Sequence, residues 1–452
     1  MEIIKEGNSV GYDLSVKNYK WSVWNEVFEI SNGVVCFNTL SGAIYLFQNE
    51  EYRKYKYDNT LTDGYADSLL RDGILVPYDM NERANWLTKY KDARHSFKSA
   101  DITICVTNKC QFKCVYCFEG HKKKAISMQE KTIEQIKTYI AETFPDIDEL
   151  YLTWFGGEPL IGIKQIVVLS KYLKEYCNSK GAKYYAYMTT NGYGLTPNNY
   201  NILNNECSIR SYTITIDGPE KIHDSRRPLL SGKGTYSVIW KNMENAVSKG
   251  AAIALRVTVD KTNVGSVYEL IDNIANSNLK GKVFVCFART FDYSFTPDNI
   301  TKTIFNQEEF AKIEMDLLKY AEQKGVSEIL PPWASPLGGC IRDADITIGV
   351  NGEIYKCLDT IGEEEWIVGN INENSKEYEK KWYNEWQSWM PSDSNNCANC
   401  KLLPLCNGGC PHNALFSQKK HNAIGQCPDW KYNYQRKVEI YIKNVLNKRN
   451  NA

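Results

Sequence analysis

Residues 101–117 read DITICVTNKCQFKCVYC, and this stretch decides the fold. Its first half alternates apolar and polar residues, the period of a half-buried strand. Its second half sets Cys110, Cys114 and Cys117 at spacings of four and three residues. A closed structural zinc site takes four protein ligands, so three thiols leave one place open for something else. Phe112 and Tyr116 alternate with the cysteines, as side chains that keep water from a redox centre do.

Outward from this stretch, strand and helix patterns alternate. The candidate strands are ITICV, LYLTWF, KYYAYMTT, SYTITI, IALRVTV and KVFVCFA. Helix-like stretches among them are SMQEKTIEQIKTYIAETF, IKQIVVLSKYLKEYC, TYSVIWKNMENAVSKG, VGSVYELIDNIANS and NQEEFAKIEMDLLKYAEQK. Six βα units predict an α/β fold over residues 96–330, its parallel sheet open or rolled into a partial (β/α)6 TIM-like barrel. Such folds place their chemistry at the C-terminal ends of the strands. CQFKCVYC follows the first strand, Gly156-Gly157-Glu158-Pro159 the second, and Thr190-Asn191-Gly192 the third.

Composition narrows the class. Lys plus Arg and Asp plus Glu balance at 54 each, with no bias toward nucleic acid or anionic lipid. MEIIKEGNSV lacks the basic-then-apolar pattern of a signal peptide, and no apolar run approaches the roughly 18 residues of a membrane span. A cytoplasmic protein without nucleic-acid or membrane partners is expected. There, fifteen cysteines serve metal better than disulfides. Cys36, Cys105, Cys177, Cys207 and Cys286 are solitary and read as small buried hydrophobes.

The flanks differ from the centre. In residues 1–95, WSVWNEVFEI and GVVCFNTLSGAIYLF read as hairpin strands, and YADSLLRDGILVPYD as a short helix closing into a strand. This is a small, separate α+β unit, and the polar stretch NERANWLTKYKDARHSFKS reads as its linker. Residues 331–452 lose periodicity and gain Cys, Gly and Asn, as in a region held by metal rather than by a large core. DWKYNYQRKVEIYIKNVLNKRN reads as a closing helix.

Cys110, Cys114 and Cys117 after a strand, with the βα repeat behind them, resemble the radical S-adenosylmethionine enzymes. The resemblance implies a four-iron, four-sulfur cluster on the three cysteines and S-adenosylmethionine on its free iron. It further implies that the Tyr116 backbone meets the adenine and that Gly156 and Gly157 admit the cofactor's ammonium, supported by Glu158. Thr190 and Asn191 resemble the segment near the ribose. Arg256 either reaches the cofactor's carboxylate or points outward. Asp217-Gly218, His223-Asp224 and Arg226 share the family's look without an assigned contact.

Cys340-x11-Gly352-x4-Cys357, then Cys397-x2-Cys400-x5-Cys406-x3-Cys410, then Cys427, resembles the SPASM domain of peptide-modifying radical enzymes. The family's ligation implies one auxiliary cluster on Cys397, Cys400, Cys406 and Cys427 and another on Cys340, Cys357 and Cys410, three [4Fe-4S] clusters in all. Zinc is the rival, but seven cysteines leave one unpaired across two zinc sites. Residues 1–95 resemble a winged-helix-like leader-recognition domain, which binds an extended peptide by strand addition; a structural or dimerisation domain is the plainer alternative. The expected protein is then a maturase that abstracts hydrogen from a ribosomally made precursor peptide and closes a thioether, with a flavodoxin or ferredoxin as electron donor. Carbon–carbon or carbon–oxygen crosslinking, epimerisation and formylglycine formation are alternatives, and a non-catalytic iron–sulfur carrier is the alternative from another class. EILPPWASPLGG, before Cys340, holds no cysteine. One iron is therefore expected to be open to a substrate thiolate, with Cys286 as rival ligand and Asp359 as candidate base.

Overall fold

The computed structural model of the chain describes residues 1–12, 18–57, 65–117, 119, 125–291, 298–332, 340–372, 381–416 and 427–451. The hairpin stretches form β3 (Asn25–Ile30), β4 (Gly33–Asn38) and β5 (Ile44–Phe47), joined antiparallel. β1 (Glu2–Lys5) adds beside β5, and β2 (Tyr19–Trp21) pairs with β6 (Leu75–Pro77). Helices α1 (Asn49–Tyr57) and α2 (Ala66–Arg71) follow the sheet. Strand alternation gives this sheet two apolar faces. Cys36, Tyr45 and Phe47 pack with Leu69 and Leu70 of α2. On the other face Val35, Phe37, Ile44 and Leu46 meet Leu402, Leu405 and the helix Tyr434–Asn450.

That second face corrects the expectation of a separate unit. The stretch read as a linker is also a helix, α3 (Glu82–Arg94), capped by Asn81, whose side chain accepts from Ala84 N at 3.1 Å. Its polar composition hides one stripe, Trp86, Tyr90 and Arg94, spaced four apart and buried. Trp86 and Tyr90 pack with Trp24, Cys397 and Leu403. The Arg94 guanidinium donates to the carbonyls of Trp386, Gln387 and Trp389 at 2.9, 2.8 and 2.5 Å. The N-terminal and C-terminal regions share a core.

All six expected central strands are present: β7 (Ser99–Cys105), β8 (Glu149–Phe155), β9 (Lys183–Thr190), β10 (Ile209–Thr215), β11 (Ala252–Val259) and β12 (Val283–Arg289). They pair in parallel and in chain order. The five expected helices are α4 (Glu130–Thr143), α5 (Ile163–Lys180), α8 (Tyr236–Ser248), α9 (Val267–Ala275) and α11 (Gln307–Gln323); α6 (Pro197–Cys207), α7 (Glu220–Arg226) and the short α10 (Asp298–Thr301) were not foreseen. Ile102, Leu152, Met188, Ile214 and Leu255 face the helices and form the main core. The opposite strand faces line a cavity of about 1220 Å³ with Thr153, Tyr187, Thr189, Ser211, Thr213 and Phe284.

Among the described residues the sheet does not close on itself. β13 (Ile346–Ile348) joins β7 in parallel, and β14 (Glu353–Tyr355) and β15 (Gly369–Asn370) extend it to nine strands. The cysteine-rich region thus begins as a continuation of the barrel sheet. Among the described residues no helix is long and apolar enough to cross a membrane.

Candidate active site and cysteine centres

The three-cysteine loop leaves the C-terminal end of β7 and is held from two sides. On one side Gly157 N donates to Thr107 O at 3.0 Å and Glu158 N to Lys109 O at 2.9 Å. Gly156 has a φ of +142°, and a Cβ there would stand 2.2 Å from Thr107 O. The glycines therefore serve close contact with the loop's own backbone. On the other side Lys113 N donates to Pro228 O at 2.8 Å, Val115 N to Arg226 O at 3.0 Å, and Leu230 N to Gln111 O at 2.8 Å.

Glu158 is buried, and its carboxylate accepts from Leu160 N (3.0 Å), Thr190 Oγ1 (2.6 Å) and Asn191 N (2.7 Å). Burial pushes its pKa up while these hydrogen bonds act the other way. With its acceptor sites used in this way, Glu158 fixes the turn after β9. Asn191 Nδ2 lies 3.9 Å from Cys110 Sγ. Cys110, Gly156, Gly157, Glu158, Thr190 and Asn191, separate in sequence, come together here.

A buried polar network braces the far end of the loop. Tyr116 Oη donates to Asp217 Oδ2 at 2.5 Å and accepts from Arg227 Nη1 at 2.8 Å. Arg226 bridges Asp217 (3.3 Å) and Asp260 (2.8 Å), all three buried. His223 Nδ1 accepts from Asp217 N at 3.2 Å, and Asp224 accepts from the amides of Thr235 and Tyr236. Arg227 is the residue that sequence reasoning missed; only its place beside Arg226 in HDSRRP marks it. Its Nε has no hydrogen-bond partner among the described residues. Burial pushes the Cys110 thiol up to about 12 and the Cys114 thiol up to about 11, with the Arg227 charge opposing the rise at Cys114.

Arg256 faces the barrel interior. It sits in register between Thr215 and Cys286, while its neighbours Leu255 and Val257 point into the core. Cys286 shares that interior face, near Arg256, Glu314 and Lys437, and it is exposed there rather than buried as expected, because it alternates with the core-facing Val285 and Phe287. Besides burial, the charges that act on both the Cys340 and the Cys357 thiols are those of Cys410 and Asp359, while those that act on Cys286 are Arg256, Glu314 and Lys437. Cys105 is buried as expected, in an apolar cluster with Tyr355 against which Cys340 and Cys357 pack. The cysteine-free stretch before Cys340 lies outside the described residues from 333 to 339.

The C-terminal cysteines gather as two groups. Cys397, Cys400, Cys406 and Cys427 line one cavity of about 220 Å³ with Trp430 and Lys431. Lys431 Nζ donates to Cys427 Sγ at 3.2 Å. In the second group burial pushes the Cys340 thiol up to about 12, and negative charge on Cys410 adds to the rise. Cys357 is raised by burial, then by Asp359, Cys340 and Cys410. Asp359 lies exposed in the turn Leu358–Thr360. Buried thiols of this kind ionise only beside a strongly positive centre, which a metal supplies. No three His, Cys, Asp or Glu side chains among the described residues are placed to hold a single ion. Four cysteines around a cavity suit a multi-iron cluster better than one ion.

Comparison with known proteins supports the same domain. Residues 104–274 match the family described as the Radical SAM superfamily. The radical SAM cyclopropyl synthase TigE of Paramaledivibacter caminithermalis is 23% identical over 484 aligned positions, covering 97% of this chain and 94% of that protein. The solved structure of anSMEcpe with bound AdoMet superposes with a TM-score of 0.58 at 18% identity, covering 78% of this chain and 96% of that one. Streptococcus suis SuiB bound to its precursor peptide SuiA gives 0.53 at 15% identity, covering 90% and 98%. The strand order, the three-cysteine loop at the strand ends and the family match agree: the central part of this chain is a radical SAM domain.

Proposed function

We propose that the chain is a radical S-adenosylmethionine peptide maturase, with domains at residues 1–95, 96–330 and 331–452. Cys110, Cys114 and Cys117 would hold a four-iron cluster, which with S-adenosylmethionine supplies a 5′-deoxyadenosyl radical for hydrogen abstraction. The observation that carries the reading is the assembly of Cys110, Glu158 and Asn191 at the C-terminal ends of the parallel strands. Glu158 orients Thr190 and Asn191, Tyr116 and Phe112 keep water from the cysteines, and Arg227 offsets negative charge at Cys114. Arg256, inward at the level of Thr215, is the candidate for a cofactor or substrate carboxylate.

Cys397, Cys400, Cys406 and Cys427 would hold one auxiliary cluster and Cys340, Cys357 and Cys410 the other. A peptide substrate is supported by the SuiA complex of SuiB and by the complex of anSMEcpe with the Cp18Cys peptide. In the N-terminal domain the sheet ends in β1 on one side and β3 on the other, so a leader adding as a strand pairs with one of these. A flavodoxin or ferredoxin would supply the electron.

For the outcome we favour a thioether, because Cys340, Cys357 and Cys410 are three ligands and a substrate thiol could occupy the fourth place. Asp359 stands beside that place to take the thiol's proton. Carbon–carbon bond formation is the second reading, favoured by the activity that TigE's name records. The test is 5′-deoxyadenosine release by anaerobically reconstituted enzyme, followed by co-expression with the short open reading frames beside its gene. Wild type should release it, and the triple change of Cys110, Cys114 and Cys117 to Ala should not; a triple variant that still cleaves the cofactor refutes the reading. The modified peptide should lose two hydrogens per crosslink. A thioether also removes one alkylatable cysteine, whereas a carbon–carbon bond leaves the cysteine count unchanged.

A further inference from the structure

We infer that the N-terminal domain has a second role: it forms a wall of the Cys397–Cys427 site, and Arg83 positions and electrostatically tunes whatever that site holds. The inference rests on the reading that these cysteines carry an iron–sulfur cluster.

The contacts come from three separate parts of the N-terminal domain. From α3, the Arg83 guanidinium donates to Ala398 O at 2.6 Å and Asn399 O at 3.2 Å, the two carbonyls inside Cys397-x2-Cys400. The same guanidinium lies over the Trp24 ring, 4.8 Å from its centroid, which limits its freedom to swing away. From the turn after β4, Thr39 Oγ1 donates to Lys401 O. In return Lys401 Nζ donates to Asn25 O on β3 at 3.0 Å. Trp24, Trp86 and Tyr90 close the apolar side around Cys397. The cysteine turn is therefore gripped from residues 24 to 90, hundreds of positions away in the chain.

The grip has an electrostatic consequence. The Arg83 charge, fixed on the two carbonyls between Cys397 and Cys400, favours extra negative charge on the cluster, and so favours its reduced state. Lys431, bonded to Cys427 on the opposite side, acts in the same sense. Arg83 is a positioning residue by this argument, since it touches the turn and not the sulfurs.

The test uses full-length enzyme with its clusters reconstituted, and redox titration followed by electron paramagnetic resonance. The signal of this site is identified as the one that Cys397→Ala removes. Arg83→Gln should lower its midpoint potential, on the order of tenfold in the reduced-to-oxidised ratio at fixed potential, or ~59 mV for one electron. Arg83→Lys keeps the charge and loses the fork, and should restore part of the shift. Arg53→Gln, an exposed arginine on α1, should change nothing. Should Arg83→Gln fold poorly, Thr39→Val removes the Lys401 contact and should alter the line shape of that one signal. Unchanged potential and line shape in both variants, at wild-type iron content, overturn the inference and leave the cluster reading intact. If Cys397→Ala removes no signal from wild type, the cluster reading itself fails and the inference with it.

Discussion

The molecule carries cysteines in two settings that are built in opposite ways. The loop Cys110–Cys117 hangs on a finished scaffold: β7 delivers it, the Gly156–Glu158 turn and residues 226–230 pair with its backbone, and buried Asp217, Arg226 and Asp260 brace its end. Its own side chains contribute little to the core beyond Phe112. Among the described residues around Cys397–Cys427 there is no such scaffold, only the short helices Asn395–Ala398 and Leu403–Cys406, and the apolar neighbours come from the N-terminal sheet, α3 and the last helix. A site mounted on strands should outlast the loss of its metal. A site assembled from loops should not.

The largest test of that contrast is to empty each centre in turn. Changing Cys397 and Cys406 together to Ala should unfold the C-terminal turns and release residues 1–95 to protease. Changing Cys110, Cys114 and Cys117 to Ala should shift stability by no more than about 1 kcal/mol. Circular dichroism melting and limited proteolysis give the comparison, and equal damage from both variants would break it. Arg94 comes next, because its three carbonyl partners belong to the C-terminal region. Arg94→Met leaves buried carbonyls without donors and should cost about 3 kcal/mol by urea denaturation. A loss under about 0.5 kcal/mol would mean that the two ends do not depend on each other.

Gly156→Ala probes the mounted loop. Its φ of +142° and the 2.2 Å approach to Thr107 O predict a loss of about 2 kcal/mol and weaker cofactor binding, measured by denaturation and by calorimetry with S-adenosylmethionine. The smallest effect is at the seam between barrel and C-terminal region. There Asp101 N donates to Asp345 Oδ1 at 2.8 Å, and burial with the nearby Asp345 charge pushes the Asp101 carboxyl up to about 6. A raised carboxyl binds its proton more tightly when folded, so folding gains as pH falls from about 6 toward 4 and loses as pH rises through 6. Asp101→Asn should therefore stabilise by about 1 kcal/mol at pH 7, allowing for solvent screening, and bring little near pH 4. A pH-independent effect would show that Asp101 is not the titrating group.

The strands were legible because each carries its own period. ITICV and LYLTWF alternate until their last two residues, and the helices between them place apolar residues on one side. α6 escaped because PNNYNILNNEC buries only Tyr200, Leu203 and Cys207, with Thr196 as its cap. α3 escaped for the same reason: one narrow stripe under a polar composition. Among the site residues, the cysteines and the Gly-Gly-Glu-Pro segment stood out by spacing. Arg227 did not, since its role depends on Tyr116 and Cys114, more than a hundred positions away.

By itself the sequence determined the six parallel strands, the helices with a broad apolar side, the grouping of cysteines by spacing and the segments that follow the first three strands. These are properties of neighbours in the chain, and periodicity records them. Tertiary structure alone decided that Cys286 faces the barrel interior while Cys105 approaches Cys340 and Cys357. It alone decided that Glu158 holds Asn191, and that Arg83 and Arg94 tie the first ninety-five residues to the last cysteines. Such contacts join residues far apart in sequence, and the burial and hydrogen bonding that fix them leave no period to read.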